Sequence, residues 1–323
     1  MLPSAWRHWI FERAANWARR RQGLDSFPLT LQRRRLYVLP TRAGVVFGLL
    51  LLFMLIAGLN YANSLALFLT FLLAGFAIVA MHRCHRNLLG LSVIAAIGRP
   101  AFAGESARFR ITLGDDTLLA RGAVEVAVLN GDAGRADVAA GGRAAIELDV
   151  PAPRRGLVRI DRMELATSFP FGLFRAWTWI HSPVDAVVYP RPRGTRAPPE
   201  APERRAGQRA HAGIGDDEWL GLRGFRDGDS PRRVAWKAFA RGAPLMVKEY
   251  GAAADDLRMF DFDSLRGLDA ESRLEQLARW IVDAEARGDR YGLTVNAVVI
   301  EAGRGLAHRH RCLRALALHG IEE

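Results

Sequence analysis

Several side chains that could take part in chemistry lie at the end of a strand predicted over residues 257–262. Asp261, Asp263 and Ser264 follow one another closely there. Hard cations bind carboxylate and hydroxyl oxygens, so this run could hold Mg²⁺ weakly. The alternative, which we favour, is an Asp-rich turn from the strand into a loop. The sequence indicates no other cofactor.

The histidines and cysteines do not form a recognisable catalytic set. His308 and His310 are two residues apart, so they do not share a helical face, and we expect both at the surface. Cys84 and Cys312 are too far apart to indicate a disulfide framework and are predicted to be reduced thiols. The sequence contains neither a Gly-rich phosphate loop nor a nucleophile elbow. These observations favour a protein that is not an enzyme.

The net charge of +11 is concentrated near the N-terminus. Residues 1–43 contain nine arginines against one Glu and one Asp. Because this excess lies beside an apolar region, it indicates an anionic membrane surface rather than nucleic acid. Trp6, Trp9 and Trp17 recur at helical spacing among these arginines. Residues 1–42 are therefore predicted to be a basic amphipathic arm on the cytoplasmic side, with a frayed arm as the open alternative.

The region from residue 43 to residue 81 contains no charged side chain. It consists of two apolar runs, 43–59 and 65–81, separated by the polar segment Asn-Tyr-Ala-Asn-Ser at 60–64. A helix that crosses a membrane needs about 20 mostly apolar residues, and roughly 17 is the lower limit. The pattern predicts a two-helix transmembrane hairpin and disfavours a pair of buried core helices.

Positive charge flanks this hairpin on both sides. The flanking residues are Arg33, Arg34, Arg35 and Arg42 before it, and Arg83 and Arg86 after it. Positively charged flanks remain in the cytoplasm, so only the turn at 60–64 should reach the periplasm. We therefore predict a multi-pass protein of the bacterial inner membrane with both termini cytoplasmic.

After the hairpin, apolar residues alternate with polar ones. Strands are predicted at 91–97, 107–113, 123–129, 144–150, 157–165, 173–180 and 185–189, with a Phe-Pro-Phe-Gly turn at 169–172. About seven short strands without a helical stretch are typical of a β-sandwich, so residues 88–190 are predicted to form a sandwich-like domain. The Pro- and Arg-rich segment 191–217 is predicted to be an exposed linker or loop.

Residues 218–323 show an α/β pattern. Strands are predicted at 245–249, 257–262 and 293–300, and helices at 231–241, 269–287 and 306–319. The last of these strands is almost continuously apolar, as is common inside a parallel sheet. Together with the preceding regions, the pattern predicts a membrane-anchored α+β protein that ends in a short α/β unit.

The predicted helix 231–241 presents positive charge on one side. Arg233, Lys237 and Arg241 share one face, while Trp236 and Phe239 fall on a side predicted to be buried. Repulsion between like charges does not favour this arrangement, so we predict contact with an acidic partner, with a solvated basic face as an equal alternative. The predicted partner surface consists of Arg226, Arg233, Lys237, Arg241 and Lys248. The structural motif beside it consists of Asp227, Gly228, Asp229, Ser230, Pro231 and Trp236.

Three segments resemble the bacterial family called domain of unknown function 58. They are 60–64, the block GFRDGDSPRRVAWKAFAR at 224–241, and VKEY at 247–250. The resemblance implies a C-terminal unit similar to von Willebrand factor A domains and a MoxR-type AAA+ ATPase as partner. It implies no catalytic activity. The A-type domains bind a cation through Asp-x-Ser-x-Ser; here Asp263 replaces the first Ser and Leu265 the second, so the run is degenerate.

Two functions from different classes follow from these features. The favoured one is a non-enzymatic inner-membrane scaffold or adaptor that works with the AAA+ ATPase in the assembly or maturation of other proteins. The alternative is a metal-dependent enzyme, or a Mg²⁺-binding A-like domain, that uses Asp261 and Asp263. Nucleic-acid binding rests on charge alone and is not expected.

The topology can be tested with reporter fusions. A reporter inserted near residue 62 should be active in the periplasm, and reporters at both termini should be active in the cytoplasm, because the positive flanks stay inside. A C-terminal reporter that is active only in the periplasm would overturn this topology.

Overall fold

The computed structural model describes residues 25–115, 117, 119–129, 131–199, 218–225, 234–242, 244–251 and 257–321. The chain divides into two compact units, Met1–Arg191 with Gly320–Glu323, and Pro192–His319. The predicted tryptophan-containing part of the arm, residues 1–24, lies outside the described residues.

Two long apolar helices, α1 (Arg42–Asn60) and α2 (Ser64–Leu88), occupy the charge-free region of the sequence. The side chains of Thr41 and Asn63 cap them, each accepting a backbone hydrogen bond at 3.1 Å. The mean hydropathy of their most apolar stretches is 2.3 and 2.4, and only 6% and 11% of these stretches is buried. The prediction of two helices long and apolar enough to cross a membrane is therefore confirmed.

The second helix is longer than a membrane requires. At about 1.5 Å per residue, the 19 residues of α1 span about 28 Å and the 25 residues of α2 about 37 Å. The hydrocarbon layer is about 30 Å thick. Residue 81 was predicted to end the apolar segment, but the helix continues to Leu88, so its length exceeds the thickness of a hydrocarbon layer by about 7 Å, or little more than one turn.

The first unit also contains three β-sheets. Its strands are β1 (Leu29–Thr30), β2 (Tyr37–Pro40), β3 (Ser92–Arg99), β4 (Ala101–Phe102), β5 (Glu105–Gly114), β6 (Arg121–Val128), β7 (Ala133–Val138), β8 (Arg143–Ala152), β9 (Gly156–Ile160), β10 (Met163–Thr167), β11 (Phe174–Ile180) and β12 (Val184–Tyr189). The strand orders are β1-β3-β5-β8, β2-β11-β10-β6-β7 and β4-β12-β9. All pairs are antiparallel except β4 with β12. The predicted antiparallel β-structure after the hairpin is present.

The alternation of apolar and polar residues explains how these sheets pack. Phe109, Ile111 and Leu113 of β5 are buried and belong to one hydrophobic core with residues of β6, β8 and β10. The intervening Arg108 and Arg110 point outward and form ion pairs with acidic residues of β8. This inward and outward pattern agrees with the sequence prediction.

Some strands differ from the prediction. The run 157–165 forms two strands, β9 and β10, and β7 was not predicted because its six residues include Gly and Ala, which are poor strand formers. The segment predicted to be a basic arm up to residue 42 contributes β1 and β2, which pair with β3 and β11. Its second half is therefore part of the β-structure.

In the second unit, β13 (Glu218–Gly224) pairs antiparallel with β14 (Met246–Gly251), and a short helical turn, α3 (Trp236–Phe239), lies between them in sequence. The strands β15 (Leu257–Asp261) and β16 (Arg290–Val295) are parallel and are connected by α4 (Ala270–Arg287). Strand β17 (Val298–Gly303) returns antiparallel to β16, and α5 (Leu306–Leu318) follows. The predicted βαβ arrangement is present.

The predicted single strand 293–300 is wrong. Strand β16 ends at Val295, and β17 begins at Val298, so the apolar run is a hairpin with a two-residue turn. Asn296 has a φ of 49°, and Asn tolerates this left-handed conformation better than most residues. Apolar residues on both sides of the turn concealed it in the sequence.

Part of the predicted linker is fixed to the second unit. The backbone of Arg196 donates to Gln276 Oε1 at 3.0 Å and accepts from Gln276 Nε2 at 3.1 Å. Trp280 Nε1 donates to the same carbonyl at 2.8 Å. Residues 192–199 are mostly exposed and form neither helix nor strand, as predicted, but the backbone of Arg196 fixes this segment to α4. Residues 200–217 are outside the described part of the chain.

Candidate functional site

The buried end of α2 connects the apolar hairpin to the β-sheets. Cys84, Asn87 and Leu88 are each no more than 6% exposed, although they belong to a helix whose earlier turns expose most of their side chains. Asn87 Nδ2 donates to Gly122 O at 2.7 Å and to Thr167 Oγ1 at 2.9 Å. Gly122 N donates back to Asn87 Oδ1 at 3.0 Å. The amide nitrogen thus donates to β6 and β10, and the amide oxygen accepts from β6.

Cys84 contributes to the same junction. Its thiol is free and buried, and Sγ lies 3.4 Å from the carbonyl oxygen of Phe174 at the start of β11. The carbonyl of Thr167 in β10 is 3.6 Å away. The prediction of a free thiol agrees with this position, and the side chain acts as a small buried group with a weak hydrogen bond.

A buried ion pair completes the junction. Arg121 Nε lies 3.1 Å from Asp115 Oδ2, and the two side chains are 2% and 0% exposed. Arg121 Nη2 also donates to Thr117 Oγ1 at 3.0 Å, and Nη1 donates to the carbonyl of Arg86. The guanidinium therefore connects the sheet to the last turn of α2.

The loop between β10 and β11 holds the start of α1. Thr41 N donates to Leu173 O at 2.9 Å, and its hydroxyl donates to Gly172 O at 2.5 Å. A Cβ at Gly44 would lie 1.9 Å from Leu173 O, so only glycine allows this approach. Both apolar helices are thus fixed to the sheet that contains β10 and β11.

The same loop carries exposed aromatic side chains. Phe169 and Phe171 are 44% and 53% exposed, and the ring of Phe171 lies 4.8 Å from that of Phe76 in α2. The predicted turn at 169–172 is present. These exposed Phe side chains extend the apolar surface of α2.

The predicted partner helix 231–241 is only partly correct. Val234 forms a β-bridge with Val247, so the helical turn begins at Trp236 and ends at Phe239. Trp236 is 56% exposed and Phe239 is 50% exposed, which contradicts their predicted burial. The bridge with Val247 takes Val234 out of the predicted helix, which is a tertiary effect that local propensity does not show.

The structure places two of the predicted partner residues on this turn and its flank. Lys237 and Arg241 are both exposed. Lys248 lies in β14, and its side chain is outside the description. The remaining predicted residues of this surface and motif lie outside the described residues: Arg226, Asp227, Gly228, Asp229, Ser230, Pro231 and Arg233.

The predicted metal run forms a local turn. Asp263 N donates to Asp261 Oδ1 at 3.1 Å, and Ser264 Oγ donates to the carbonyl of Asp261 at 2.6 Å. Leu265 is buried and does not offer a ligand atom. Within the described residues, no group of three or more His, Cys, Asp or Glu side chains could hold a metal. The hydrogen bonds are those of the Asp-rich turn that the sequence favoured.

His308 is buried, so its predicted surface position is wrong. Its Nε2 lies 2.6 Å from the carbonyl of Tyr291 and 3.5 Å from Cys312 Sγ. A neighbouring His can activate a thiol, but burial raises the pKa of Cys312 to about 12. Burial also raises the pKa of Tyr291, whose hydroxyl donates to Glu285 Oε2 at 2.9 Å. This cluster packs α4, α5 and β16 together, and the raised pKa disfavours the thiolate form of Cys312.

The sequence did not reveal Asn87 or the Asp115–Arg121 pair. Asn87 lies six residues beyond the predicted apolar segment and follows two arginines, so it resembled an interfacial residue. Arg121 was one of many arginines in an Arg-rich chain. One sequence feature could have revealed the ion pair: the acidic Asp115 and the basic Arg121 lie at the two ends of a short connection between two strands.

The buried pair should contribute more to stability than an exposed one. Arg121→Ala should lower the free energy of unfolding by about 3–5 kcal/mol, because it leaves Asp115 charged and buried. Arg159→Ala is the matched control, since Arg159 and Asp185 form an exposed pair at 2.7 Å, and its cost should be about 0–1 kcal/mol. Unfolding of the full chain in detergent measures both. Similar costs for the two variants would contradict the role of this pair.

The pH dependence provides a second readout of the same pair. Burial by itself raises the pKa of Asp115, but hydrogen bonds from Arg121 and Thr117 outweigh it and lower the pKa below its ordinary value. The stabilisation is therefore present at neutral pH and is lost as pH falls through the lowered pKa. The difference between the wild type and Arg121→Ala should shrink below about pH 4.

Comparison with known proteins does not assign a family. No protein-family model matches this sequence, and no curated protein matches it. The similarity to domain of unknown function 58 therefore stays a prediction that rests on residues 60–64, 224–241 and 247–250.

Proposed function

We propose that this protein is a non-enzymatic scaffold of the bacterial inner membrane that presents a cytoplasmic surface to a protein partner. The observation that carries the proposal is the continuity of α2. One unbroken helix of 25 residues begins with exposed apolar turns and ends in the core of the β-sheets. A helix attached in this way holds a folded unit at a fixed distance from a membrane.

The charge distribution supports a cytoplasmic position for the folded mass. Arg42 begins α1, and Arg83 and Arg86 follow the apolar part of α2, so both ends of the hairpin are positive. The opposite end consists of Tyr61, Ala62 and Asn63 between the two helices and carries no charge. This asymmetry is typical of a hairpin whose two ends remain inside.

The turn around α3 has the composition of a protein-binding surface. Trp236 and Phe239 are about half exposed and lie edge to face, with ring centroids 6.4 Å apart. Exposed Lys237 and Arg241 border them. Aromatic residues and Arg are enriched in the parts of interfaces that contribute most to affinity. The proposed partner surface is therefore both aromatic and cationic, and it favours a partner with an acidic rim around an apolar pocket.

The partner that we propose is a MoxR-type AAA+ ATPase. The resemblance of residues 224–241 supports this choice, because the resembling family is associated with such ATPases. The four exposed residues Trp236, Lys237, Phe239 and Arg241 lie within or at the end of that block. The scaffold would position the ATPase at the membrane for the assembly or maturation of other proteins.

The proposal can be tested by capture of a purified MoxR-type ATPase from the same bacterium on the full chain in detergent. Trp236→Ala with Phe239→Ala should reduce the affinity roughly tenfold or more, as expected for residues at the centre of an interface. Lys237→Gln with Arg241→Gln should slow association, mainly at low salt. Neither pair should change the melting temperature appreciably, because surface substitutions alter stability by about 0.5 kcal/mol or less.

Matched controls separate a local effect from a general one. Arg311→Gln with Arg314→Gln removes the same two charges from exposed positions on α5. Val298→Ser with Val299→Ser removes two apolar side chains that are 53% and 63% exposed. Both controls should capture the ATPase normally. Equal losses in controls and test variants, or undiminished capture by the test variants, would contradict the assigned surface.

A further inference from the structure

A cavity of about 420 Å³ lies where α2 leaves its apolar stretch and enters the first unit. One wall is the exposed face of α2, and the opposite wall is the aromatic loop between β10 and β11. The short connection before β6 forms the remaining side. The lining residues are Phe76, Val79, Arg83, Arg86, Asn87, Leu119, Ala120, Arg121, Phe169, Pro170 and Phe171.

The α2 wall changes from apolar to cationic along its length. Phe76, Val79, Arg83 and Arg86 are separated by three or four residues, so they follow one another on one helical face. Phe76 and Arg83 are about 10 Å apart along the helix axis, given a rise of about 1.5 Å per residue. In a bilayer spanned by the hairpin of the proposed function, the apolar half would lie on the hydrocarbon side and the cationic half at the depth where the helix leaves it.

The polar groups at the floor of the cavity are already used. Both ends of the Asn87 amide are hydrogen bonded to Gly122 and Thr167. Arg121 is bound to Asp115, Thr117 and the Arg86 carbonyl. The floor therefore offers a ligand little beyond shape and apolar contact.

The two arginines at the rim differ from Arg121. Arg83 and Arg86 are exposed, and among the described residues neither forms an ion pair with a carboxylate. No Asp or Glu from the described residues lines the cavity. Two positive charges beside an apolar cleft are complementary to a negatively charged group with an attached hydrocarbon chain.

We propose that this cavity binds one anionic phospholipid. The phosphate lies between the guanidinium groups of Arg83 and Arg86, and one acyl chain packs against Phe76, Val79 and Phe171. A soluble phosphate compound would leave the apolar half of the cavity unfilled. A neutral lipid would leave the two charges unmatched. The inference rests on the membrane-spanning hairpin of the proposed function but not on the ATPase.

The site can be tested by native mass spectrometry of the full chain in detergent. Phosphatidylglycerol and phosphatidylcholine with the same acyl chains are added separately, and the bound fraction is counted for each. Phosphatidylglycerol should be retained preferentially, and Arg83→Gln with Arg86→Gln should reduce its apparent affinity roughly tenfold or more. Arg34→Gln with Arg42→Gln removes two exposed arginines that lie before or at the start of α1 and do not line the cavity, and it should reduce this affinity less than about threefold.

A second variant tests the cavity without a change of charge. Ala120 is exposed at the cavity wall, so Ala120→Trp should fill the space while the fold is retained. It should lower retention of phosphatidylglycerol as strongly as the double Gln variant does, with an unchanged melting temperature. Normal retention in Ala120→Trp would overturn the proposal even if the double Gln variant failed to fold.

Competition distinguishes a lipid site from a phosphate site. Millimolar glycerol 3-phosphate should not displace phosphatidylglycerol, because it lacks the acyl chain. Displacement would show that the rim binds soluble phosphate compounds and would overturn the lipid assignment. Equal retention of the two lipids, or equal losses in both double Gln variants, would do the same. ATPase capture does not enter any of these measurements, so failure here leaves the scaffold proposal to its own test.

Discussion

The fold of the first unit depends on how the polar groups at the buried end of α2 are paired, and the side chain of Asn87 is central to that pairing. A helix with an apolar exposed surface must end inside a β-structure without leaving buried polar groups unpaired. Asn87 accepts from Gly122 N and donates to Gly122 O, so it satisfies the strand backbone where β6 begins. An unpaired buried group would cost about 1–3 kcal/mol. The Arg121 guanidinium, held by Asp115, binds the Arg86 carbonyl one residue earlier. Together these contacts attach the buried end of the apolar helix α2 to the β-sheet.

The groups that could do chemistry are used for structure in the part of the chain that is described. Asp261 closes the turn after β15, and His308 and Cys312 are buried between helices and strand. The exposed features have a different character: the aromatic loop around Phe171 beside the hairpin, and the aromatic and cationic turn at Trp236. Exposed aromatic and basic groups of this kind favour binding to surfaces. The proposed scaffold function is built on these exposed surfaces.

The sequence predicted those elements whose signal is local. The charge-free helices and the alternation through Phe109, Ile111 and Leu113 depend on nearby residues, and both were correct. The predictions were wrong where pairing between residues distant in the sequence determined the secondary structure. Val234 pairs with Val247, so the helix predicted from Pro231 onward begins only at Trp236, and the tryptophan is exposed. For the candidate site, the exposure of Lys237 and Arg241 agrees with the sequence, but the helix on which they were to share a face is only a turn that ends before Arg241. The contacts of Asn87 across 35 residues to Gly122 were not predictable. Such contacts depend on which strand lies beside the helix end, and periodicity does not contain that information.

The central claim, that the α1–α2 hairpin spans the bilayer while its sheet lies at the surface, is tested most directly by the depth of spin labels in reconstituted vesicles. Nitroxides are placed singly at Leu50, Leu72, Tyr61 and Arg143, which are exposed positions in α1, α2, the connecting turn and β8. Cys84 and Cys312 are replaced by Ala to prevent labelling at native thiols. Labels at Leu50 and Leu72 should be accessible to oxygen and protected from a water-soluble nickel complex, because the hydrocarbon layer is about 30 Å thick. Labels at Tyr61 and Arg143 should be accessible to the nickel complex. Equal accessibility to the nickel complex at Leu72 and Arg143 would contradict the claim.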